Sequence, residues 1–239
     1  MILAVAIGAA LIKGITGMGY PIILVPLAAL LVPTEDAIVF VTISNFVLNL
    51  ALAWMARDDR GDSKLLTTFV GSAIVGGVVG AAILPSLPDA AIRLMLIGIV
   101  IAFLINRYRS PTWEIPPDKR ATLTPLVGGV AGLFQGAGGI SGPVVAPWFL
   151  SLKQSRDAYV FATTVTYALS GLAQIVVFGV QGTYTPRLFT IALLLVPFTL
   201  AVQPIGVRLR QRINMDTFER LVLGILVFAM LSLAIRLVV

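Results

Sequence analysis

Lys13, Thr16 and Tyr20 sit in a segment, Lys13-Gly14-Ile15-Thr16-Gly17-Met18-Gly19-Tyr20-Pro21, that interrupts an otherwise apolar stretch. An ammonium, two hydroxyls and closely spaced glycines are the makings of an anion site: the cation supplies charge, and the glycines let backbone N–H groups approach a ligand. A second segment, Gln135-Gly136-Ala137-Gly138-Gly139-Ile140-Ser141-Gly142-Pro143, repeats the pattern. Gly14, Gly17 and Pro21 match Gly136, Gly139 and Pro143 at the same internal spacing, and Gln135 holds the position of Lys13. A site built from both copies is pseudo-symmetric with one cation. Asn45 and Asn49, four residues apart, share a helix face just after the first copy. Thr163, Thr166, Tyr167 and Ser170 occupy the matching region of the second half. Gly19, Tyr20, Ser141 and Gly142 complete the set of expected ligand contacts.

Other chemistry is thinly represented. The chain has no Cys and no His, which excludes disulfides, thiol chemistry, a histidine proton relay and the usual zinc sites. No Walker-type phosphate loop and no paired carboxylates occur, so neither ATP hydrolysis nor an intramembrane enzyme is supported, and no cofactor is expected.

Each chemical feature also has a structural reading. Glycines four apart, as in Gly128, Gly132 and Gly136 or Gly76 and Gly80, serve close helix packing. Asn45 and Asn49 can join helices, and Lys13 can snorkel. Asp36 and Asp157 favour the starts of matching helices, and Arg208, Arg210 and Arg212 read as a topology anchor.

The elements that must position these residues are membrane helices. Of 239 residues 58% are hydrophobic and 12% charged, with a mean hydropathy of +1.00. That composition predicts an all-α polytopic membrane protein with a single transmembrane domain, 1–239. The net charge of +6 falls in short loops between apolar spans, so it reads as membrane topology and not as a nucleic-acid surface. The first residues lack a cleavage-site pattern and are read as part of the mature chain.

The repeat extends beyond the glycines. Asp36-Ala37-Ile38-Val39-Phe40-Val41-Thr42 matches Asp157-Ala158-Tyr159-Val160-Phe161-Ala162-Thr163, and Arg93-Leu94-Met95-Leu96 resembles Arg220-Leu221-Val222-Leu223. Two repeats are expected, 1–107 and 119–239, joined by a polar, proline-containing loop at 108–118. Plain spans are expected at 36–56, 64–84 and 89–107, then at 157–180, 186–206 and 216–238. Residues 1–32 and 122–152 each form either one broken span or a re-entrant hairpin. As broken spans they give eight crossings, with nine basic residues on one side and seven on the other. As hairpins with arms of about 13 and 11 residues, they give six crossings and thirteen basic residues against three, Lys13 uncounted. The positive-inside rule favours the second arrangement. It makes the two halves inverted repeats, each a Gly/Pro-broken hairpin plus three transmembrane helices, with both termini extracytoplasmic in a cell membrane.

Pro21 and Pro143 suit the first position of the second arm in each hairpin. Both arms then present helix N-termini near mid-membrane, where unpaired N–H groups attract anions. Broken segments at corresponding places in two halves are the pattern of a transporter binding site.

The stretch Gly14-x-x-Gly17-Met-Gly-Tyr-Pro followed by Leu24-Val25-Pro26, and the stretch Gly132-Leu-Phe-Gln-Gly136-Ala-Gly-Gly139-Ile-Ser-Gly-Pro143, resemble the duplicated glycine-rich signature of the sulfite exporter TauE/SafE family. Tyr20-Pro21 and Ser141 stand where more glycine is usual in that family. The resemblance covers nearly the whole chain. It implies transport of a small anion, a sulfur oxyanion or an organosulfonate; the paired broken segments predict a secondary transporter working by alternating access around the two hairpins. An anion channel or a facilitator for another small organic anion is the alternative. The expected partners are the anionic substrate, the lipid bilayer, a coupling ion (proton or sodium) and a second copy in a homodimer.

Overall fold

A computed structural model of the chain describes residues 1–58, 60–109, 115–209 and 231. Among these residues the fold is entirely helical. The first interrupted stretch gives α1 (Ile2–Thr16) and α2 (Tyr20–Ala28). Three longer helices follow: α3 (Thr34–Met55), α4 (Ser63–Ile83) with a closing 3₁₀ turn at Leu84–Ser86, and α5 (Asp89–Arg109). The second half repeats the order with α6 (Pro117–Gly138), α7 (Gly142–Ser151), α8 (Arg156–Val180) and α9 (Pro186–Leu209). The span expected at 216–238 lies outside the described residues.

Among the described residues, four stretches are long and apolar enough to cross a bilayer: Thr34–Met55, Ser63–Ser86, Asp157–Val180 and Pro186–Leu209. Their outer faces leave Leu50, Val75, Val79, Val176, Leu194 and Phe198 exposed. So much apolar side chain turned outward is the surface of a protein that lives in lipid.

Element edges depart from expectation in two places. The two arms of the first interrupted stretch have 15 and 9 residues, because Gly14 continues α1 and the chain breaks only at Gly17–Gly19. α6 begins inside the expected joining loop: Pro117 lacks the N–H that a first helical residue would leave unpaired, so the helix starts there and carries Asp118, Lys119 and Arg120 in its opening turn. Asp36 and Asp157 do lie in the first turns of α3 and α8.

Packing pairs helices across the two halves. α1 lies on α9, α6 on α4, and α3 on α8. The α4–α6 seam is a backbone contact. A Cβ placed on Gly128, Gly132 or Gly136 would strike backbone atoms of Phe69, Ala73 and Gly77 respectively. The register rises together along both helices, so α4 and α6 run in the same direction. α8 shares it: Gly61 before α4 lies against Ala158, Gly77 against Ser170, and Gln181 donates from Nε2 to the Ala82 carbonyl at 3.2 Å. α7 ends far back along this bundle, where Phe149 meets Phe69 with ring centroids 4.9 Å apart. On the other side α3 and α9 run together, with Thr42 bonded to Tyr184 at 2.5 Å and Gln203 donating to the Leu48 carbonyl at 3.1 Å.

Candidate functional site

The two chain breaks are built the same way. Gly17 ends α1 at φ +80° and donates its N–H to the Lys13 carbonyl at 2.7 Å. Gly139 ends α6 at φ +68° and donates to the Gln135 carbonyl, also at 2.7 Å. A side chain at either position would cost about 1–2 kcal/mol in left-handed backbone. Thr16 pins the first break, its hydroxyl lying 2.8 Å from the Ile12 carbonyl and 2.7 Å from that of Met18. α2 and α7 then start without a side-chain cap. α4 and α8 start differently, with Asp62 and Ser155 accepting from their first amides. The N-termini of α2 and α7 therefore keep donors that a ligand can use.

The breaks, more than a hundred residues apart in sequence, meet at one cavity of about 20 Å³. From the first half it is lined by Lys13, Met18, Gly19, Pro21, Ile22 and Asn45. Gln135, Gly139, Ile140, Ser141, Gly142 and Tyr167 complete it from the second. Asn45 and Tyr167 stand near the middle of α3 and α8, so the cavity sits at mid-depth of the helical layer.

Lys13 is 1% exposed. Its Nζ donates to Asn49 Oδ1 at 2.6 Å and to Asn45 Oδ1 at 3.3 Å, and lies 5.7 Å from the centre of the Tyr167 ring. Asn49 Nδ2 in turn donates to Asn45 Oδ1 at 3.3 Å. No carboxylate partners Lys13 among the described residues. A buried cation held only by amides and a ring face lacks a counter-charge, and that deficit attracts an anion.

The facing half is neutral. Ser141 Oγ donates to Gln135 Oε1 at 2.9 Å, Gln135 Nε2 to Gln174 Oε1 at 3.4 Å, and Gln174 Nε2 to the Gly136 carbonyl at 2.8 Å. Among the described residues the buried Tyr167 hydroxyl has no hydrogen-bond partner, an unusual state for a group that costs free energy to desolvate.

Comparison with protein-family models matches residues 2–233 to the sulfite exporter TauE/SafE family. The chain belongs to that family. TauE/SafE proteins are membrane transporters of sulfur compounds, which fits an uncompensated cation at mid-depth and multiple apolar spans. Neither the curated proteins nor the solved structures gave a match.

Within this TauE/SafE chain, the expected ligand residues divide by position. Lys13, Gly19, Pro21, Asn45, Gln135, Gly139, Ser141, Gly142 and Tyr167 converge on the cavity, and Asn49 supports Lys13 from behind. Gly14 and Gly136 sit inside helices, where a Cβ would strike the backbone of α9 and α4 respectively. Gly17 and Thr16 shape the break. Tyr20 bonds Ser44 at 3.0 Å, and Thr166 donates to the Ala162 carbonyl at 2.7 Å. Pro143 lies in the opening turn of α7. Tyr20 and Gly142 precede the prolines as first helical residues, so both prolines stand one place later than expected. Met18, Ile22, Ile140 and Gln174 are additions. Gln174 is legible in retrospect, since Thr163, Tyr167, Ser170 and Gln174 fall at 4-3-4 spacing along one face of α8.

Proposed function

We propose that this protein is a secondary transporter that binds a small sulfur oxyanion or organosulfonate at the cavity between the two breaks and exports it by alternating access. The observation that carries this reading is the buried Lys13 amine, without a carboxylate partner among the described residues, where two uncapped helix N-termini meet. Uphill export requires a coupling ion, proton or sodium.

The same reading takes 1–107 and 119–239 as inverted repeats in a cell membrane, each opening with a re-entrant hairpin. Two kinds of contact support it. Exchanging the halves turns each major helix contact into another: α1–α9 into α6–α4, α3–α9 into α8–α4, and α3–α8 into itself. α6 and α8 both run in the direction of α4, so α7 must carry the chain back to the end where α6 began. One continuous broken span over α6 and α7 would make α6 and α8 antiparallel. The hairpin arrangement also gathers Arg57, Arg60, Lys64 and Lys153 at one end, where Gly61 lies against Gln154 and Ala158. The positive-inside rule makes that end cytoplasmic and the termini extracytoplasmic.

Two experiments test these parts. Sulfite, sulfate, thiosulfate and chloride, at matched ionic strength, are compared for thermal stabilisation of the detergent-purified protein. A selective ligand at ~100 times its dissociation constant adds about 2.7 kcal/mol, and Lys13→Gln removes the effect. Equal shifts with every salt, or a shift retained in the variant, defeat the anion site. Single cysteines at Arg60 and Lys153, in a chain that otherwise has none, are labelled from the same side of the membrane if the hairpins are re-entrant. Labelling from opposite sides restores the eight-span arrangement.

A further inference from the structure

We infer that the preferred ligand is a sulfonate monoanion with a short apolar tail, chosen over dianions and zwitterions. The inference rests on the anion-site reading above and narrows it.

The first argument is charge. Lys13 is the one basic side chain lining the cavity; Asn45, Gln135, Ser141 and Tyr167 are neutral. The helix dipoles add little net field. Each break joins a helix C-terminus to a helix N-terminus, α1 to α2 and α6 to α7, and the two ends carry opposite partial charges of about half a unit. The site's charge is thus at most about +1, which one negative charge balances. A dianion would leave a buried charge without a partner, a costly state in a low-dielectric interior. A zwitterion's ammonium would meet no carboxylate and would share the cavity with Lys13.

The second argument is the division of the walls. Lys13, Asn45, Ser141 and Tyr167 supply polar atoms, whereas Met18, Ile22 and Ile140 supply apolar ones. Ile22 reaches from the first hairpin to the second, its Cδ1 lying 3.2 Å from where a Cβ on Gly142 would stand. A tetrahedral oxyanion such as sulfate presents oxygens in every direction, and those facing this wall would be unpaired; pyramidal sulfite turns its three oxygens to one side but has no carbon to fill the apolar wall. A sulfonate presents its oxygens at one end and carbon at the other.

The third argument is Tyr167. It is 5% exposed, lines the cavity, and its hydroxyl has no partner among the described residues. It is a donor of the right kind for a sulfonate oxygen beside Lys13. A cavity of about 20 Å³ holds one water, so the hairpins must part to admit the ligand.

The test uses three ligands of nearly equal size on the purified full chain: propane-1-sulfonate, taurine and sulfoacetate, which end in a methyl, an ammonium and a carboxylate. Dissociation constants are measured by calorimetry at matched ionic strength, with sulfite as reference. Propane-1-sulfonate is expected to bind at least tenfold more tightly than either of the others. If taurine or sulfoacetate equals or exceeds it, the inference is overturned and the anion site stands. If none of the three binds and sulfite is also silent, the anion site itself fails and the inference with it.

Discussion

At the first break the residue whose carbonyl accepts the capping glycine N–H is Lys13; at the second it is Gln135. The bond length is the same, 2.7 Å, and both capping glycines are left-handed. Around this shared backbone the side chains diverge. Lys13 is cradled by two asparagines of α3, while Gln135 joins a neutral relay through Ser141 and Gln174. The matched backbone sets two helix ends facing one cavity. The differing side chains then set its charge: two lysines there would repel across a low-dielectric gap, and two glutamines would leave no cation.

The sharpest way to break this comparison is to move the charge. Lys13→Gln makes both breaks neutral, and anion affinity is expected to fall about 100-fold, equivalent to about 2.8 kcal/mol. Adding Gln135→Lys to that variant returns a cation to the other break, where Gln174 Oε1 can accept from it. Recovery to within about tenfold of the wild-type dissociation constant means the breaks are interchangeable. No recovery means the Asn45–Asn49 cradle, and not the position of the charge alone, makes the site. Isothermal calorimetry with sulfite reads both variants.

The backbone half of the comparison is sharpened by substituting the capping glycines. Gly17→Ala and Gly139→Ala each place a Cβ on left-handed backbone, with nothing closer than 3.8 Å to hinder it sterically. Each is expected to cost about 1–2 kcal/mol, and the two costs should agree within about 0.5 kcal/mol. Gly129→Ala, in the interior of α6 with open space around its Cβ position, serves as the control and should be neutral or stabilising. Denaturant unfolding in detergent measures all three. A cost confined to one break would mean that the matched dihedral angles do not reflect matched roles.

How much of this was legible in the sequence follows from which forces act locally. The positions of the breaks could be read because glycine spacing and proline are local signals. The spans α3, α4, α8 and α9 could be read because a bilayer demands about 20 apolar residues wherever it is crossed. Gly14 and Gly136 were harder. Their spacing within the repeat suits a ligand loop and a packing seam alike, and only the approach of α9 and α4 assigns them a packing contact. Met18, Ile22 and Ile140 carry no chemical signal at all, since an apolar residue in an apolar stretch is invisible until the other break meets it. Gln174 was visible as a periodic polar position, but its bond to the Gly136 carbonyl depends on how α6 meets α8.

The smallest expected effect falls on the neutral relay. Ser141→Ala removes the donor to Gln135 Oε1 and leaves that oxygen facing the cavity. A buried acceptor that loses its donor costs about 1 kcal/mol or slightly more, less if a water enters the cavity of about 20 Å³ and replaces the hydroxyl. Because Ser141 also stands at the N-terminus of α7, where a ligand would take its amides, the variant separates two roles. If Ser141 serves only to orient Gln135, stability drops by that amount and sulfite affinity changes less than about threefold. If its hydroxyl also touches the anion, affinity falls further than stability does. The corresponding position at the first break is Gly19, which has no hydroxyl to lose, so a direct contact through Ser141 would make the second half contribute hydrogen bonds where the first contributes charge.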